Sequence, residues 1–305
     1  MTKTEAELSG LTFGCELEYE GIGQTHAARL IAEVTGGRCG GYASTDATMP
    51  DGRTWHVVHD GSLRGTCCES VSPILTIADL PVLEKVVAAL KRGGAKVNER
   101  TGLHIHVGAQ TMTPTAIRNL VRTFYKQEEL ILKAVGTRAS RLGHYTKKTD
   151  HSFVERICRD RNPTWKSLNR DWFGRYTPSF THYDQHRYRA LNLNPLWESK
   201  KTVEFRFFEG TTDAKTVAAN ALFCLLLAAR AKDAKASSAR AQRPYSEASA
   251  KYDFRVFLLR LGANGPMFKS MRKILMANLP GSAAWKDGRH DKPRAKAEAA
   301  TAANG

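Results

Sequence analysis

Four short segments of the chain alternate apolar and polar residues with a period of two. They cover residues 13–19, 103–107, 191–194 and 203–207. Because successive side chains of a β-strand point to opposite faces, each segment predicts a strand with one apolar face. The opposite faces carry paired functional groups: Glu16 with Glu18, His104 with His106, Asn192 with Asn194, and Glu204 with Arg206. We interpret the segments as strands of one sheet whose polar face is a reaction site.

Further elements follow from the same reading of periodicity. Residues 54–59 and 66–71 predict a hairpin that feeds the same sheet, with Glu69 on its second strand. Apolar residues at helical spacing predict helices over 24–35, 77–92, 117–135 and 216–231, and a last helical block over about 252–279. Strands that are separated by long helices and paired partly through hairpins predict an α+β fold with an antiparallel sheet.

Shifts in composition predict the domain organisation. A catalytic domain is expected over residues 1–231, and within it residues 136–186 are basic and aromatic without a clear period. That stretch predicts an irregular insert that serves as a substrate lid. Residues 232–250 are rich in Ala, Ser, Lys and Arg and predict a linker, followed by a helical segment over 251–282 and a basic disordered tail over 283–305.

The charge of the chain is concentrated in its last quarter. The formal net charge is +16, and from Arg230 onward 16 basic residues stand against 6 acidic ones. This excess predicts weak, nonspecific polyanion binding, because no zinc-finger or RNP-type signature accompanies it. The polar N-terminus and the short apolar stretch 217–229 predict a cytoplasmic protein without a membrane span, which needs ~20 apolar residues. The six cysteines have no CxxC spacing.

The carboxylates of the predicted sheet pose an electrostatic problem. If Glu16, Glu18, Glu69 and Glu204 converge, their repulsion raises their pKa values and destabilises the fold unless cations lie between them. An oxygen-rich set with one or two imidazoles favours Mg²⁺ or Mn²⁺ over zinc. Such ions with a nearby arginine are typical of phosphate transfer. The chain has no Walker A motif, so a nucleotide would be held by the sheet itself.

These motifs, taken in order, resemble the amidoligase family, which belongs to the superfamily of glutamine synthetase and glutamate–cysteine ligase. The similar segments are 13–18, 60–63, 69–73, 101–107, 188–193 and 202–211, and the resemblance spans roughly residues 11–231. It implies a glutamine synthetase-like fold: a curved, mainly antiparallel sheet with helices packed on one face and the active site on the other.

The resemblance also implies an activity. Members of the superfamily are carboxylate–amine ligases that use ATP and Mg²⁺, with Mn²⁺ as a possible substitute, and that form an amide through an acyl phosphate. The implied partners are a small-molecule or peptide carboxylate and an amine or ammonia donor. The implied metal ligands are Glu16, Glu18, Glu69, His104 and Glu204. The implied cofactor contacts are His104, His106, Asn192, Arg187, Arg189 and Arg206. Catalysis is implied for Asp60, Glu69 and Arg206, with Asp60 accepting the proton of the attacking amine.

Two alternatives stay open at this point. A zinc-dependent hydrolase would use His104 and His106 as ligands and a glutamate as base. A non-catalytic protein that binds nucleic acid or another polyanion would use the basic insert and the C-terminal quarter, with an affinity that falls steeply with salt. Within the ligase interpretation, the basic insert predicts that Arg138, Arg141 and Arg175 contact an acidic or peptide-like substrate.

Overall fold

The alternating segments form one antiparallel sheet. The computed structural model describes residues 3–59, 61, 67–181, 184–235 and 241–286. Within them the strands are β1 Phe13–Glu20, β2 Arg38–Cys39, β3 Asp46–Thr48, β4 Thr54–Val58, β5 Cys67–Val71, β6 Gly102–Gly108, β7 Leu191–Asn192 and β8 Thr202–Glu209. Their order in the sheet is β2-β3-β4-β5-β1-β6-β8-β7, and all neighbouring strands are antiparallel.

The helices lie where the apolar periodicity predicts them, with additional short ones. They are α1 Lys3–Ser9, α2 Gln24–Thr35, α3 Leu80–Arg92, α4 Pro114–Val135, α5 Ala139–His144, α6 His151–Arg159, α7 Trp165–Phe173, α8 Ala214–Asp233, α9 Ala250–Arg260 and α10 Lys269–Leu275. Local chemistry sets the ends of α4: the Thr113 side chain accepts from the Ala116 N–H, and Gly136 terminates the helix at a φ of 76°.

One face of the sheet is covered by helices and the other carries the polar pairs. The apolar residues of β1 are buried, as are their counterparts on β6 and β8. Helix α8 contacts β1 and β6 as well as α1, α3, α4 and α10, so it forms the centre of the core. The prediction of an α+β fold with an antiparallel sheet, helices on one face and polar side chains on the other is confirmed.

Helix α8 is the one described helix whose length and hydropathy would allow it to cross a membrane. It has 20 residues, somewhat more than the apolar stretch noted in the sequence, but 78% of its most apolar window is buried inside the protein. A helix that is apolar on all sides is expected at the centre of a core. Its burial explains its composition without a membrane.

The sequence-based prediction of an irregular insert over residues 136–186 is wrong. The insert contains α5, α6 and α7, of six, nine and nine residues. Helices of two turns are too short to show a clear apolar period, but two N-cap signals mark them. The side chain of Asp150 accepts from the N–H groups of Ser152 and Phe153, and that of Thr164 accepts from Ser167.

The predicted linker also differs from the structure, and so does the last helical block. Residue Arg243 of the linker donates its N–H to Lys126 O on α4 at 2.8 Å, and its guanidinium lies 2.7 Å from Asp253 on α9. These contacts of Arg243 anchor the segment to the domain, although most of residues 241–249 are exposed. The helical block is divided into α9 and α10 by Gly262 and Gly265, both at positive φ. Residues 287–305 of the predicted tail lie outside the described residues.

Glu128 joins the insert and the C-terminal segment to α4. Its carboxylate is buried and accepts hydrogen bonds from the N–H and hydroxyl of Thr149, at 2.7 and 2.8 Å, and from Gln242 Nε2 at 3.0 Å. Burial raises the pKa of this carboxyl, and the two hydrogen bonds from Thr149 oppose the increase without cancelling it. The folded protein therefore holds the Glu128 proton more tightly than the unfolded chain does.

This shift predicts a pH-dependent contribution to stability. The contribution of the protonated carboxyl is present below the unfolded-state pKa and is lost as pH rises through the higher folded-state pKa. We expect Glu128→Gln, which remains neutral, to escape this loss, so its free energy of unfolding should gain on that of the wild type between about pH 4 and about pH 7. Urea unfolding across that range measures the difference, with Glu129→Gln at the neighbouring, half-buried position as control. Parallel profiles for Glu128→Gln and the wild type would contradict the prediction.

Candidate functional site

Two carboxylates lie at the centre of the polar face. Glu16 and Glu18 alternate with apolar residues of β1 that are buried under the helices. Strand β1 lies between β5 and β6, with Glu16 opposite His104 on β6 and Glu18 opposite Glu69 on β5. Directly opposed residues of antiparallel strands have Cβ atoms about 5 Å apart. The register of β1 therefore brings these three carboxylates and one imidazole together.

Strands β6, β8 and β7 extend this polar row. His106 lies opposite Glu204, and Glu204 lies opposite Asn192. Both Glu204 and Asn192 are almost completely buried, at 3% and 2% exposure. Residues that are more than a hundred positions apart in sequence thus form one continuous row across the sheet.

A β-bulge shapes β8 at the site. Ile105 pairs with Phe205, whereas Leu103 pairs with Phe208, so β8 contains one residue more than β6 over this stretch. The bulge includes Arg206 and bends the strand locally. It keeps the apolar residues on both sides in register with the core while Arg206 stays on the polar face.

His104 is surrounded by carboxylates. Its Nδ1 lies 3.2 Å from Glu16 Oε2 and 3.7 Å from Glu204 Oε1, and its Nε2 lies 3.4 Å from Glu18 Oε1. The second oxygen of Glu18 accepts a hydrogen bond of 2.6 Å from the backbone N–H of Gly102. The three carboxylates therefore converge on one buried imidazole.

His106 has one ring nitrogen hydrogen-bonded and one that faces the carboxylates. Its Nδ1 lies 3.0 Å from the hydroxyl of Thr202. Its Nε2 lies 3.3 Å from Glu16 Oε1 and 3.9 Å from Glu204 Oε1, and it is buried without hydrogen-bond geometry to any described residue. This nitrogen and the two carboxylates point towards a common volume.

The cluster is strongly polarised. Burial alone would raise the pKa of Glu16, but His106 and His104 outweigh it and hold that pKa well below its usual value. Burial would likewise raise the pKa of Glu204, and Arg206 and His106 lower it. Burial alone would lower the pKa of His106, but the negative charges of Glu16 and Glu204 outweigh it and raise that pKa above its usual value. The site therefore favours anionic carboxylates with positive charge between them.

Two groups of side chains have the geometry to hold a cation. Within each group, one ligand atom per residue lies within 4.8 Å of the others. The first group is Glu16, His106 and Glu204, and the second is Glu16, Glu69 and His104. Glu16 belongs to both, so two ions held by these groups would be neighbours with Glu16 between them.

Arg206 and Asn192 orient the carboxylate of Glu204. Arg206 Nη1 donates to Oε1 of Glu204, and Asn192 Nδ2 donates to Oε2 at 2.6 Å. The Nε of Arg206 is buried and has no hydrogen-bond partner among the described residues. The guanidinium of Arg206 therefore donates to Glu204 through Nη1, and its Nε–H remains able to donate to a ligand.

Two cavities open beside the cluster. The larger has a volume of about 280 Å³ and is mainly apolar, with Gly14, Val71, Pro73 and Ile74 in its lining. The smaller has a volume of about 50 Å³ and is lined by charged and amide side chains, including Arg187, Asn192, Glu204 and Arg206. Three side chains line both cavities: Glu16, His106 and Lys200.

The arginines and the aspartate predicted for the site have different outcomes. Arg187 lines the smaller cavity. Arg189, by contrast, lines neither cavity, because its guanidinium donates to Lys148 O at 3.1 Å and to Asp150 Oδ2 at 3.3 Å. Its predicted contact with the cofactor has no support in this geometry. Asp60, the predicted base, lies outside the described residues.

The insert arginines predicted to contact substrate do not line either cavity. Arg138 lies beside Glu209, with 3.7 Å between its Nε and the carboxylate. Arg141 is only 4% exposed and donates to Thr101 O at 3.2 Å, while Arg175 is exposed to solvent. Arg141 therefore supports the end of β6 from within the protein.

The sequence interpretation missed Lys200, Thr202 and Gly14. Thr202 holds His106, and Gly14 lies opposite His106 on β1, where the absence of a side chain leaves room for the larger cavity. Alternation along β1 and β8 was a usable signal for both, since Gly14 and Thr202 share the faces of Glu16 and Glu204. Nothing in the periodicity indicates Lys200, which lies in a turn.

Comparison with known proteins gives a family and a distant structural likeness. No curated protein matches the chain. Among solved structures, it is similar to a chain in the crystal structure of the complex between the prokaryotic ubiquitin-like protein Pup and its ligase PafA, with 12% sequence identity and a TM-score of 0.36. That alignment covers 90% of this chain and 63% of the other, so the chain spans less than two thirds of the protein it matches.

The family comparison covers most of the chain. A family model described as "Putative amidoligase enzyme" matches residues 9–228. The matched range includes every described strand of the sheet and the entire cluster of carboxylates and imidazoles. The resemblance seen in the order of the motifs is confirmed: this chain belongs to the amidoligase family.

Proposed function

We propose that this protein is a carboxylate–amine ligase that uses ATP and forms an amide through an acyl phosphate. The observation that carries the proposal is the pair of ligand groups that share Glu16. They lie beside Arg206, between an apolar cavity and a small charged one. Adjacent divalent ions next to an arginine are typical of sites that transfer a phosphoryl group between two anions.

The ligand groups fit Mg²⁺ or Mn²⁺ better than zinc. Each combines two carboxylates with one imidazole, an oxygen-rich set typical of the harder ions. The buried Nε2 of His106, which lacks a hydrogen bond within the described structure, is a ligand atom directed at the carboxylates. The Thr202 hydroxyl beside Nδ1 supports the tautomer that leaves Nε2 free to coordinate.

In this proposal each residue has a defined role. Glu16, His106 and Glu204 would hold one ion, and Glu16, Glu69 and His104 would hold the second. Glu18, predicted from the sequence as a ligand, lies outside both groups and instead contacts His104. When bound, the ions neutralise phosphate oxygens of ATP and polarise its γ-phosphoryl group. The larger cavity takes the nucleoside, and the smaller one takes the substrate carboxylate beside Arg187 and Arg206.

The reaction then has two displacements. A carboxylate oxygen of the acid attacks the γ-phosphorus, the bond from phosphorus to the β,γ-bridging oxygen breaks, and ADP leaves with the electron pair. The amine nitrogen attacks the acyl carbon, the bond from carbon to the phosphate oxygen breaks, and inorganic phosphate leaves. The nitrogen loses a proton, for which we propose Asp60 as the base. Arg206 balances the charge of the transferring group. Asn192 donates to Glu204 and so keeps that carboxylate beside Arg206.

The proposal names the substrates only by their chemical class. The acid is a small-molecule or peptide carboxylate, and the nitrogen comes from an amine or ammonia. The cytoplasmic location stays a prediction from the sequence. A zinc hydrolase fits the site less well, because the two imidazoles fall in different ligand groups, each with two carboxylates.

Positional isotope exchange tests the acyl phosphate directly. ATP labelled with ¹⁸O at the β,γ-bridge is incubated with Mg²⁺ and single acids from a panel, without any amine. If the acid takes the phosphoryl group reversibly, the freed β-phosphate of ADP rotates and the label appears at nonbridging positions. We expect such exchange with at least one acid, and none with the Glu16→Gln/Glu204→Gln double variant.

Other results would favour the rival functions. Stoichiometric zinc, hydrolysis of an amide or ester, and no binding of ATP would indicate the zinc hydrolase. Salt-dependent nucleic-acid binding that survives in the double variant, with no exchange and no ATP binding, would indicate a polyanion-binding protein. Either outcome would remove the ligase proposal.

A further inference from the structure

Lys200 occupies the junction between the two cavities. It lies in the turn that joins β7 to β8, and its side chain lines both the apolar cavity and the charged one. The two other side chains that line both are Glu16 and His106, members of a candidate ligand group. Lys200 thus places an amine side chain at the point where ligands in the two cavities would meet.

The ammonium of Lys200 retains its capacity to bind a ligand. Its Nζ lies 3.8 Å from Glu16 Oε1, and the side chain is 59% exposed. Within the described parts of the chain, Nζ makes no hydrogen bond. An exposed ion pair at this distance contributes little to stability. The ion pair between Lys200 and Glu16 is therefore not needed for the stability of the fold, and the three N–H donors of Lys200 remain available to a ligand.

Hydrogen bonds to its backbone anchor the turn that carries Lys200. Lys201 has a φ of 46° and is the one non-glycine residue at positive φ among those described. The turn is held by the N–H of Ala109, which donates to Lys201 O at 2.9 Å, and by Gln110 Nε2, which donates to Lys200 O at 3.2 Å. Left-handed conformations at non-glycine residues are costly and concentrate at functional sites. The side chain of Lys201 is exposed and lines neither cavity.

We propose that Lys200 is a catalytic residue whose ammonium contacts the γ-phosphoryl group as it passes from ATP to the acid. This inference rests on the proposed ligase function. The transfer requires two anions, the γ-phosphate and the carboxylate, to approach each other beside Glu16. A flexible ammonium at the junction reduces their repulsion and can move with the phosphoryl group, whereas the guanidinium of Arg206 balances charge from a position fixed by its pairing with Glu204.

The test compares Lys200→Met with Lys201→Met, which removes the same charge from the same turn outside the cavities. Calorimetry with Mn²⁺ present measures the affinity for ADP and for a triphosphate analogue with a nonhydrolysable β,γ-bridge. We expect Lys200→Met to weaken the triphosphate analogue by about tenfold and to leave ADP within about twofold, because a charged hydrogen bond to the γ-phosphate is lost. Lys201→Met is expected to change neither affinity.

Isotope exchange and metal binding complete the test. We expect exchange to slow about 10²-fold in Lys200→Met, as for loss of one donor to a developing charge, and to recover in part in Lys200→Arg. The affinity for Mn²⁺ alone should not fall in Lys200→Met. Equal behaviour of the two methionine variants, or a loss of Mn²⁺ affinity that accounts for the slower exchange, would overturn the proposal.

The two proposals fail in different ways. Wild-type protein that neither exchanges label nor binds the triphosphate analogue would remove the ligase function and Lys200's role with it. Wild-type protein that exchanges label, with Lys200→Met as active as Lys201→Met, would remove only the role of Lys200. In that case Lys200 is a surface lysine near Glu16.

Discussion

Replacing Glu16 with Gln is expected to abolish binding of both divalent ions and to lower activity about 10³-fold or more. Glu16 is shared by the two ligand groups, whereas Glu204 belongs to one and Glu69 to the other. Bound divalent ions supply several kcal/mol of charge stabilisation in a transition state, which corresponds to a factor of about 10³. Titration with Mn²⁺ should therefore find two ions in the wild type, one in Glu69→Gln, one in Glu204→Gln and none in Glu16→Gln.

A surface carboxylate provides the matched control for this series. Glu84 on α3 pairs with Lys215 at 2.5 Å on the solvent-facing side of the helices, away from both ligand groups. Glu84→Gln should bind two Mn²⁺ ions like the wild type. If Glu16→Gln still binds two ions, or if Glu69→Gln and Glu204→Gln remove the same ion, then the assignment of two groups that share Glu16 is wrong.

Replacing Arg206 with Ala is expected to lower both stability and activity. The guanidinium is buried, and its removal leaves Glu204 without its arginine partner. Breaking a buried ion pair from one side costs about 3–5 kcal/mol. We expect a loss of this size in metal-free protein, measured by urea unfolding, and a partial recovery when Mg²⁺ neutralises Glu204. Even with Mg²⁺, activity should remain about 10³-fold below that of the wild type, because an arginine that balances phosphoryl charge contributes a factor of this size.

Arg189 is the control for Arg206. It is also an arginine of the motifs that carry the family resemblance, in the segment 188–193. However, it pairs with Asp150 on the insert and lines neither cavity. Arg189→Ala should change the free energy of unfolding by about 1 kcal/mol or less and leave activity near that of the wild type. Equal losses of activity in the two variants would contradict the assignment of the phosphoryl contact to Arg206.

The polar face was predictable from the sequence because alternation is a local property. In an extended chain the direction of each side chain follows from the position of its neighbour, so Glu16 and Glu18 must share a face whatever β1 pairs with. The same holds for His104 with His106 and for Glu204 with Arg206. Helix α2 was predicted with the bounds that the structure shows, because its apolar period and the glycine at its end are local too.

Other features were not predictable because they depend on contacts between distant residues. The short helices of the insert are stabilised by tertiary contacts, for example by the hydrogen bond of 2.7 Å that Trp172 Nε1 donates to Asn194 Oδ1. The strand predicted through Asn194 ends at Asn192, where Asn192 Oδ1 accepts from the Asn194 N–H at 2.9 Å and begins a turn. Propensity is a weak guide in segments of this length, since tertiary contacts override it.

The sequence by itself determined the class of fold, the faces of the strands and the residue types available for chemistry. The tertiary structure decided the order and register of the strands, and hence that Glu16 is the carboxylate common to both ligand groups. It also decided the bulge at Arg206 and the turn that carries Lys200 to the junction. The physical reason is that periodicity arises between neighbours in the chain, whereas register arises from hydrogen bonds and packing between residues far apart in sequence.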